Sequence, residues 1–117
     1  MKKVLVIGGG GFVGSHTSDA LSEAGFEVTI FDKLESPWVR DDQKMIIGDI
    51  LDIEQLKKAC KGIDYVFHFA GIADIGESKE NPINTIEFNI LGTANVAHAC
   101  IENKVTRLVF ASTMDVY

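Results

Sequence analysis

The residues of the chain most suited to chemistry form the run Gly8-Gly9-Gly10-Gly11-Phe12-Val13-Gly14. Glycines permit a tight turn and let a ligand approach the backbone. Where such a turn joins a strand to a helix, free amides and the helix dipole favour a pyrophosphate. Two registers fit: Gly9, Gly11 and Gly14 as G-x-G-x-x-G, or Gly8, Gly11 and Gly14 as G-x-x-G-x-x-G. Asp32 follows Gly14 by 18 residues, the position for a carboxylate that accepts hydrogen bonds from both hydroxyls of an adenosine ribose. A 2′-phosphate would be repelled there, and the neighbouring Lys33 offsets part of that repulsion. These residues predict a dinucleotide site with NAD as the preferred cofactor over NADP.

Such a site needs a scaffold. Val4 to Ile7, Val28 to Phe31, Tyr65 to Ala70 and Leu108 to Ala111, with the weaker Met45 to Ile47, are short apolar runs of the kind that form parallel strands covered on both faces. Val13, Thr17, Ala20, Leu21 and Ala24 recur at helical spacing and are followed by Gly25. Asp52-x-x-Gln55 has the form of a capping box, ahead of an Ile53, Leu56, Ala59 and Cys60 stripe that closes at Gly62. Asn81-Pro82 opens a third helix, carried towards Glu102 by Ile83, Ile86, Ile90, Ala97 and Ile101. This alternation predicts an α/β fold: a doubly wound, Rossmann-type parallel sheet of five strands in the order 3-2-1-4-5, with helices on both faces. In such sheets ligands bind beyond the carboxyl ends of the strands. Gly8, Asp32, Asp49, Ala70-Gly71 and Ser112-Thr113, each just past such an end, are therefore expected to line one crevice.

Composition bounds the rest. The chain has 117 residues, enough for one domain, and 46% of them are apolar, which excludes a disordered chain. Its 11 basic against 17 acidic residues give a net charge of −6, unfavourable for a nucleic-acid backbone or an anionic membrane. Lys57, Lys58 and Lys61 form the densest basic cluster and are expected on the solvated face of a helix. No apolar run reaches membrane-spanning length, and Met1-Lys2-Lys3 leads into a strand rather than a signal peptide, so a cytoplasmic address is expected. Cys60 and Cys100 fall on apolar stripes and are expected to act as small hydrophobes. His16, His68 and His98 lack ligand spacing, so no metal site is expected. Trp38 is expected to pack on the body of the domain, and Asn89 either to tie the third helix to a strand loop or to touch cofactor.

Six segments taken in order carry a resemblance: Gly9 to His16, Phe31-Asp32-Lys33-Leu34, Gly48-Asp49-Ile50, His68-Phe69-Ala70-Gly71, Asn89 to Thr93, and Ser112-Thr113-Met114-Asp115-Val116-Tyr117. Together they resemble the extended short-chain dehydrogenase/reductase family in its nucleotide-sugar epimerase/dehydratase branch. Phe69 to Ser78, with Gly76-Glu77-Ser78, is most similar to UDP-glucose 4-epimerases. The resemblance implies that the Phe12 and Val13 amides contact pyrophosphate, Asp32 holds the ribose, and Asp49 with Ile50 borders the adenine. It also implies that Phe69, Ala70 and Gly71 run beside the cofactor, that Ser112 neighbours the nicotinamide, and that Thr113 is the catalytic hydroxyl bonding the reacting sugar oxygen. A nucleotide-sugar substrate and a homodimeric parent are implied with it. In this branch the Val-Tyr pair after the Ser-Thr motif is structural, so Tyr117 is not assigned the proton transfer. The Tyr-x-x-x-Lys that performs it is absent from these 117 residues, which are expected to be the N-terminal, truncated NAD-binding portion of a longer enzyme and inactive alone. Met114-Asp115 replaces the Asp-Glu of the family's dehydratases, and methionine cannot donate a proton, which disfavours dehydration. Two alternatives stay open beside an epimerase: a catalytically silent dinucleotide-binding or redox-sensing module, and a related nucleotide-sugar decarboxylase or reductase.

Overall fold

A computed structural model of the chain describes residues 2–8, 12–33, 35, 37–69 and 82–110. Within them the elements run β1 (Lys3–Ile7), α1 (Phe12–Glu23), β2 (Glu27–Asp32), β3 (Gln43–Ile47), α2 (Ile53–Ala59), β4 (Tyr65–His68), α3 (Pro82–Glu102) and β5 (Arg107–Phe110). The five strands form one sheet in the order β3-β2-β1-β4-β5. Every pairing is parallel, as the crossover rule predicts for strands separated by helices. Ile7 is paired with Phe31 on one side and His68 on the other, so the strands end in register and their following loops emerge along one edge.

Side chains alternate across the sheet. Leu5, Ile7, Phe31 and Val66 pack with Leu56, Ala59 and Cys60 of α2 and its cap, and with Val96, Ala99 and Cys100 of α3. Val4, Val6, Val28 and Ile30 face the opposite side, with Leu21 of α1 and Phe26 packed against them. Burial on both faces explains why these strands are continuous apolar runs rather than alternating ones.

Three local expectations are corrected. In α1, Ala20 and Ala24 are exposed, whereas Gly14 and Ser18 are buried. Ser18 satisfies its hydroxyl by donating to the Gly14 carbonyl at 2.8 Å, so a polar residue can sit on the inner face. In α3, Ile83, Ile90 and Ile101 are 73%, 67% and 76% exposed. The inner face is instead Gly92, Val96, Ala99 and Cys100, of which Gly92 lies against Ile50 in the turn after β3. In the capping box, Asp52 does accept from the Glu54 and Gln55 amides at 3.1 and 3.3 Å. The reciprocal half is missing: the Asp52 N–H donates to the Asp49 carbonyl at 2.9 Å, and the Gln55 side chain is used elsewhere.

Between α2 and α3, Lys57 pairs with Glu102 at 3.3 Å, and the Asn103 amide donates to the Lys57 carbonyl at 3.1 Å. Lys57 is thus engaged in this junction, whereas Lys58 and Lys61 are solvent-exposed. Trp38, expected against the domain body, is exposed. At the far side of the sheet, Val109 and Phe110 of β5 are also exposed.

Candidate functional site

The strand-end loops on the β3-β2-β1 side are tied together by the carbonyls of neighbouring strands. The Gly8 N–H donates to the Phe31 carbonyl at 2.8 Å and the Gly48 N–H to the Asp32 carbonyl at 2.9 Å. On the other side of β1, the Phe69 N–H donates to the Ile7 carbonyl at 2.7 Å. Gly8 has φ 82°, a left-handed conformation that suits glycine and turns the chain sharply out of β1. Phe12 and Val13 then open α1, so their amides lie in the first turn, where a helix has N–H groups without intrahelical acceptors.

Asp32 ends β2, and one of its carboxylate oxygens accepts the Lys33 N–H at 2.7 Å, which fixes the carboxylate relative to the strand end. On the far side stands the turn after β3. Asp49 accepts the Leu51 N–H at 2.9 Å, and the buried Ile50 holds its carbonyl on the Asn95 amide at 2.9 Å. The three loops border a shallow, solvent-open cleft. Its walls are Ile7 and Gly8, then Phe31, Asp32 and Lys33, then Gly48, Asp49 and Ile50. A cleft with a carboxylate on one wall, a glycine turn leading to a helix N-terminus, and a turn rich in backbone groups can hold an adenosine and present its phosphates to α1.

Of the expected site residues, the structure brings together Gly8, Asp32, Lys33, Asp49 and Ile50, with Phe12, Val13 and Gly14 following in α1. Phe69 stands on the β4 side of β1, its ring 6.4 Å from that of Phe67 and stacked on it. Gly11, Ala70, Gly71, Ser112, Thr113 and Tyr117 lie outside the described residues, as do the side chains of Phe12, Val13 and Asn89. Trp38 is not on the cleft wall.

Several residues were missed. Asn95 lies one turn from Gly92 on the inner face of α3, and an amide in that register must find a partner, which was the available signal. Gly92 and Gly48 mark close approaches: a Cβ at Gly92 would overlap Ile50 Cδ1, and one at Gly48 would lie 2.6 Å from Phe31 Cζ. His68 is buried at the end of β4, with Thr93 Oγ1 3.4 Å from its Nε2 and the Phe110 ring edge-on to it. Burial pushes its pKa below the ordinary value. The Cys60 and Cys100 thiols are both buried, and the Cys100 thiol, with burial, pushes the Cys60 pKa up. No helix among the described residues is long and apolar enough to cross a membrane.

The sheet order and the cleft at its strand ends define the class: a Rossmann-type, doubly wound α/β fold. The chain belongs to the NAD dependent epimerase/dehydratase family, whose model matches residues 4–117. UDP-glucose 4-epimerase from Neisseria meningitidis serogroup C is 36% identical over 129 residues, an overlap covering 100% of this chain and 38% of that protein. The crystal structure of UDP-glucose 4-epimerase from Brucella ovis in complex with NAD superposes with a TM-score of 0.92 at 34% identity, covering 100% of this chain and 37% of that one. The enzyme from Stenotrophomonas maltophila, with bound NAD and formylated UDP-arabinopyranose, gives a TM-score of 0.92 at 31% identity, covering 100% and 38%. The chain thus spans well under half the length of these relatives.

Proposed function

We propose that residues 1–117 form the NAD-holding domain of a nucleotide-sugar epimerase that acts on a UDP-hexose. The observation that carries this reading is the cleft in which Gly8, Asp32 and the Gly48-Asp49-Ile50 turn meet at three adjacent strand ends, in a chain whose relatives are UDP-glucose 4-epimerases. The residues fit the cofactor: the left-handed turn at Gly8 leads the chain to the helix N-terminus that would receive phosphate, and the Asp32 carboxylate stands on the wall between the two loops. When bound, NAD supplies a reversible hydride acceptor for the sugar.

The chain's own residues divide the remaining work. Asp32 accepts hydrogen bonds from the ribose diol and repels a 2′-phosphate, while Gly11, Gly14 and the Phe12 and Val13 amides receive the pyrophosphate. Asp49 and Ile50 border the adenine. Phe69, Ala70, Gly71 and Ser112 line the nicotinamide side, and Thr113 hydrogen-bonds the reacting sugar hydroxyl. No Tyr-x-x-x-Lys occurs in residues 1–117, so this reading places the proton-transfer pair outside them and expects the segment alone to be inactive. Two buried free thiols suit a reducing, cytoplasmic setting. The exposed isoleucines of α3 suit a homodimer in which that helix faces a second copy.

Calorimetric titration of the full chain with NAD and NADP tests the reading. NAD should bind more tightly, and Asp32→Ala should weaken it by about 1.5 to 3 kcal/mol, the value of a charge-assisted hydrogen bond. Equal or tighter NADP binding by the wild type would overturn the assignment of Asp32. Interconversion of UDP-glucose and UDP-galactose by the longer parent enzyme that this reading expects, against none by residues 1–117 alone, tests the reaction.

A further inference from the structure

The turn from Gly48 to Asp52 owes its shape to a side chain outside it. Its backbone groups find partners in order: Gly48 N–H on the Asp32 carbonyl at 2.9 Å, Leu51 N–H on Asp49 Oδ1 at 2.9 Å, and Asp52 N–H on the Asp49 carbonyl at 2.9 Å. The Ile50 carbonyl is held by Asn95 Nδ2 at 2.9 Å. Asp49 N–H donates to Gln55 Oε1 of α2 at 2.9 Å. Gln55 has this acceptor to spare because the N–H it would serve in a capping box, that of Asp52, already has the Asp49 carbonyl. The same Oε1 lies 3.0 Å from the place a Gly48 Cβ would occupy, so the amide rests against the turn. Among the described residues, Ile50 N–H is the one amide of the turn left without a protein partner, and Ile50 stands on the cleft wall.

We infer that Gln55 is a positioning residue for recognition of an amino-purine base: by accepting the Asp49 N–H it locks the Gly48–Asp52 turn in the shape that offers Asp49 and Ile50 to the base. The inference rests on the nucleotide reading given above. A 6-aminopurine carries a donor and an acceptor side by side, and the turn carries their complements, a carboxylate acceptor on Asp49 and an amide donor on Ile50. Hypoxanthine, with an oxo group and a protonated ring nitrogen on that edge, reverses both. Without the Gln55 acceptor, the peptide between Gly48 and Asp49 is free to rotate, because glycine resists little. The two groups then lose their fixed spacing, and discrimination between the bases falls.

The test measures the affinities of NAD and of nicotinamide hypoxanthine dinucleotide for the full chain as wild type, Gln55→Leu and Gln55→Glu. Gln55 is solvent-exposed on α2, so both variants leave the core intact. Wild type should prefer NAD. Gln55→Leu should reduce that preference about three- to tenfold, the effect of one hydrogen bond, and Gln55→Glu, which keeps an acceptor at the same reach, should restore it. A ratio of affinities is not moved by a mere loss of stability. An unchanged ratio in Gln55→Leu, or Gln55→Glu as indifferent as Gln55→Leu, would overturn the role of Gln55 while leaving the nucleotide reading standing. Failure of the wild type to bind either dinucleotide would instead overturn the nucleotide reading, and this inference with it.

Discussion

Replacing Gly48 by alanine puts a carbon where Phe31 already stands. The new Cβ would lie 2.6 Å from Phe31 Cζ, 2.7 Å from Cε2 and 3.0 Å from Gln55 Oε1. Comfortable carbon–carbon contact begins near about 3.5 Å, so roughly 1 Å must be found somewhere. Phe31 is fully buried in the cluster beneath α2 and α3, and the Gly48 backbone is tethered by its bond to Asp32, so neither side yields cheaply. Overpacking of this kind costs about 1 to 3 kcal/mol. Against it stands a gain of about 0.4 to 1 kcal/mol, because alanine stiffens the unfolded chain. The net loss expected is about 0 to 2.6 kcal/mol, centred near about 1.3, which at that centre is about 5 to 10 °C in thermal midpoint for a domain of this size. The assay is denaturation of Gly48→Ala, Phe31→Leu and the double variant in the full chain. Leucine lacks the two ring atoms that clash, so the single losses should fail to add, with a coupling of about 0.5 to 3 kcal/mol. A midpoint for Gly48→Ala above wild type, or strict additivity in the double variant, would refute the claim that this turn packs directly on the Phe31 ring.

Three other outcomes follow from particular side chains. Lys104 holds φ 55° at the turn after α3, a left-handed position where an L side chain is strained. Lys104→Gly should therefore raise stability by about 0.5 to 1 kcal/mol in urea unfolding, and a loss would mean that the lysine makes a compensating contact. The buried His68 has its pKa lowered from 6.5 by desolvation, so the unfolded chain binds the proton more readily. The contribution of His68 is thus whole above the unfolded value and lost as pH falls through it towards the folded one. Between pH 7.5 and 5.5, His68→Leu should lose stability less steeply than wild type, and parallel slopes would contradict this. Finally, the buried Cys60 and Cys100 should react with an aromatic disulfide reagent only on unfolding, with rapid native-state labelling of either thiol the contrary result.

How far the fold could be read from sequence depended on what each residue type constrains. Val4 to Ile7 and Val28 to Phe31 are legible because a strand buried on both faces must be apolar at nearly every position, and handedness then limits the strand order. The helix faces were less legible. α3 carries apolar residues on more than one side, so spacing alone selected the large isoleucines, whereas the helix turns inward Gly92, which Ile50 abuts, with Val96, Ala99 and Cys100. At the site, Gly8, Asp32 and Asp49 are legible because chemistry concentrates just past strand ends. Asn95 and Gln55 are not. Asn95 acts on Ile50, 45 residues away, and Gln55 satisfied a local pattern whose second half the fold had already supplied by other means.

In the function proposed above, the order of strands in the sheet would also order the ligand. β2 stands between β3 and β1, and its last two carbonyls receive the first amide of each neighbouring loop, Phe31 taking Gly8 and Asp32 taking Gly48. The Asp32 side chain is therefore placed between the phosphate turn and the Gly48–Asp52 turn by the same two residues that tether both. With neighbouring strands about 4.8 Å apart, three adjacent strand ends would, on that proposal, take base, ribose and phosphate in sequence. β4 lies on the other side of β1, with the Phe69 N–H bonded to the Ile7 carbonyl, the side on which the proposal puts the nicotinamide half. Displacing the end of β2 should therefore disturb adenine and phosphate binding together. Phe31→Leu supplies that test: it removes neither cleft loop, and should weaken AMP and ADP-ribose alike when measured well below its melting temperature. Loss confined to one of the two would show that the two turns are held independently of β2.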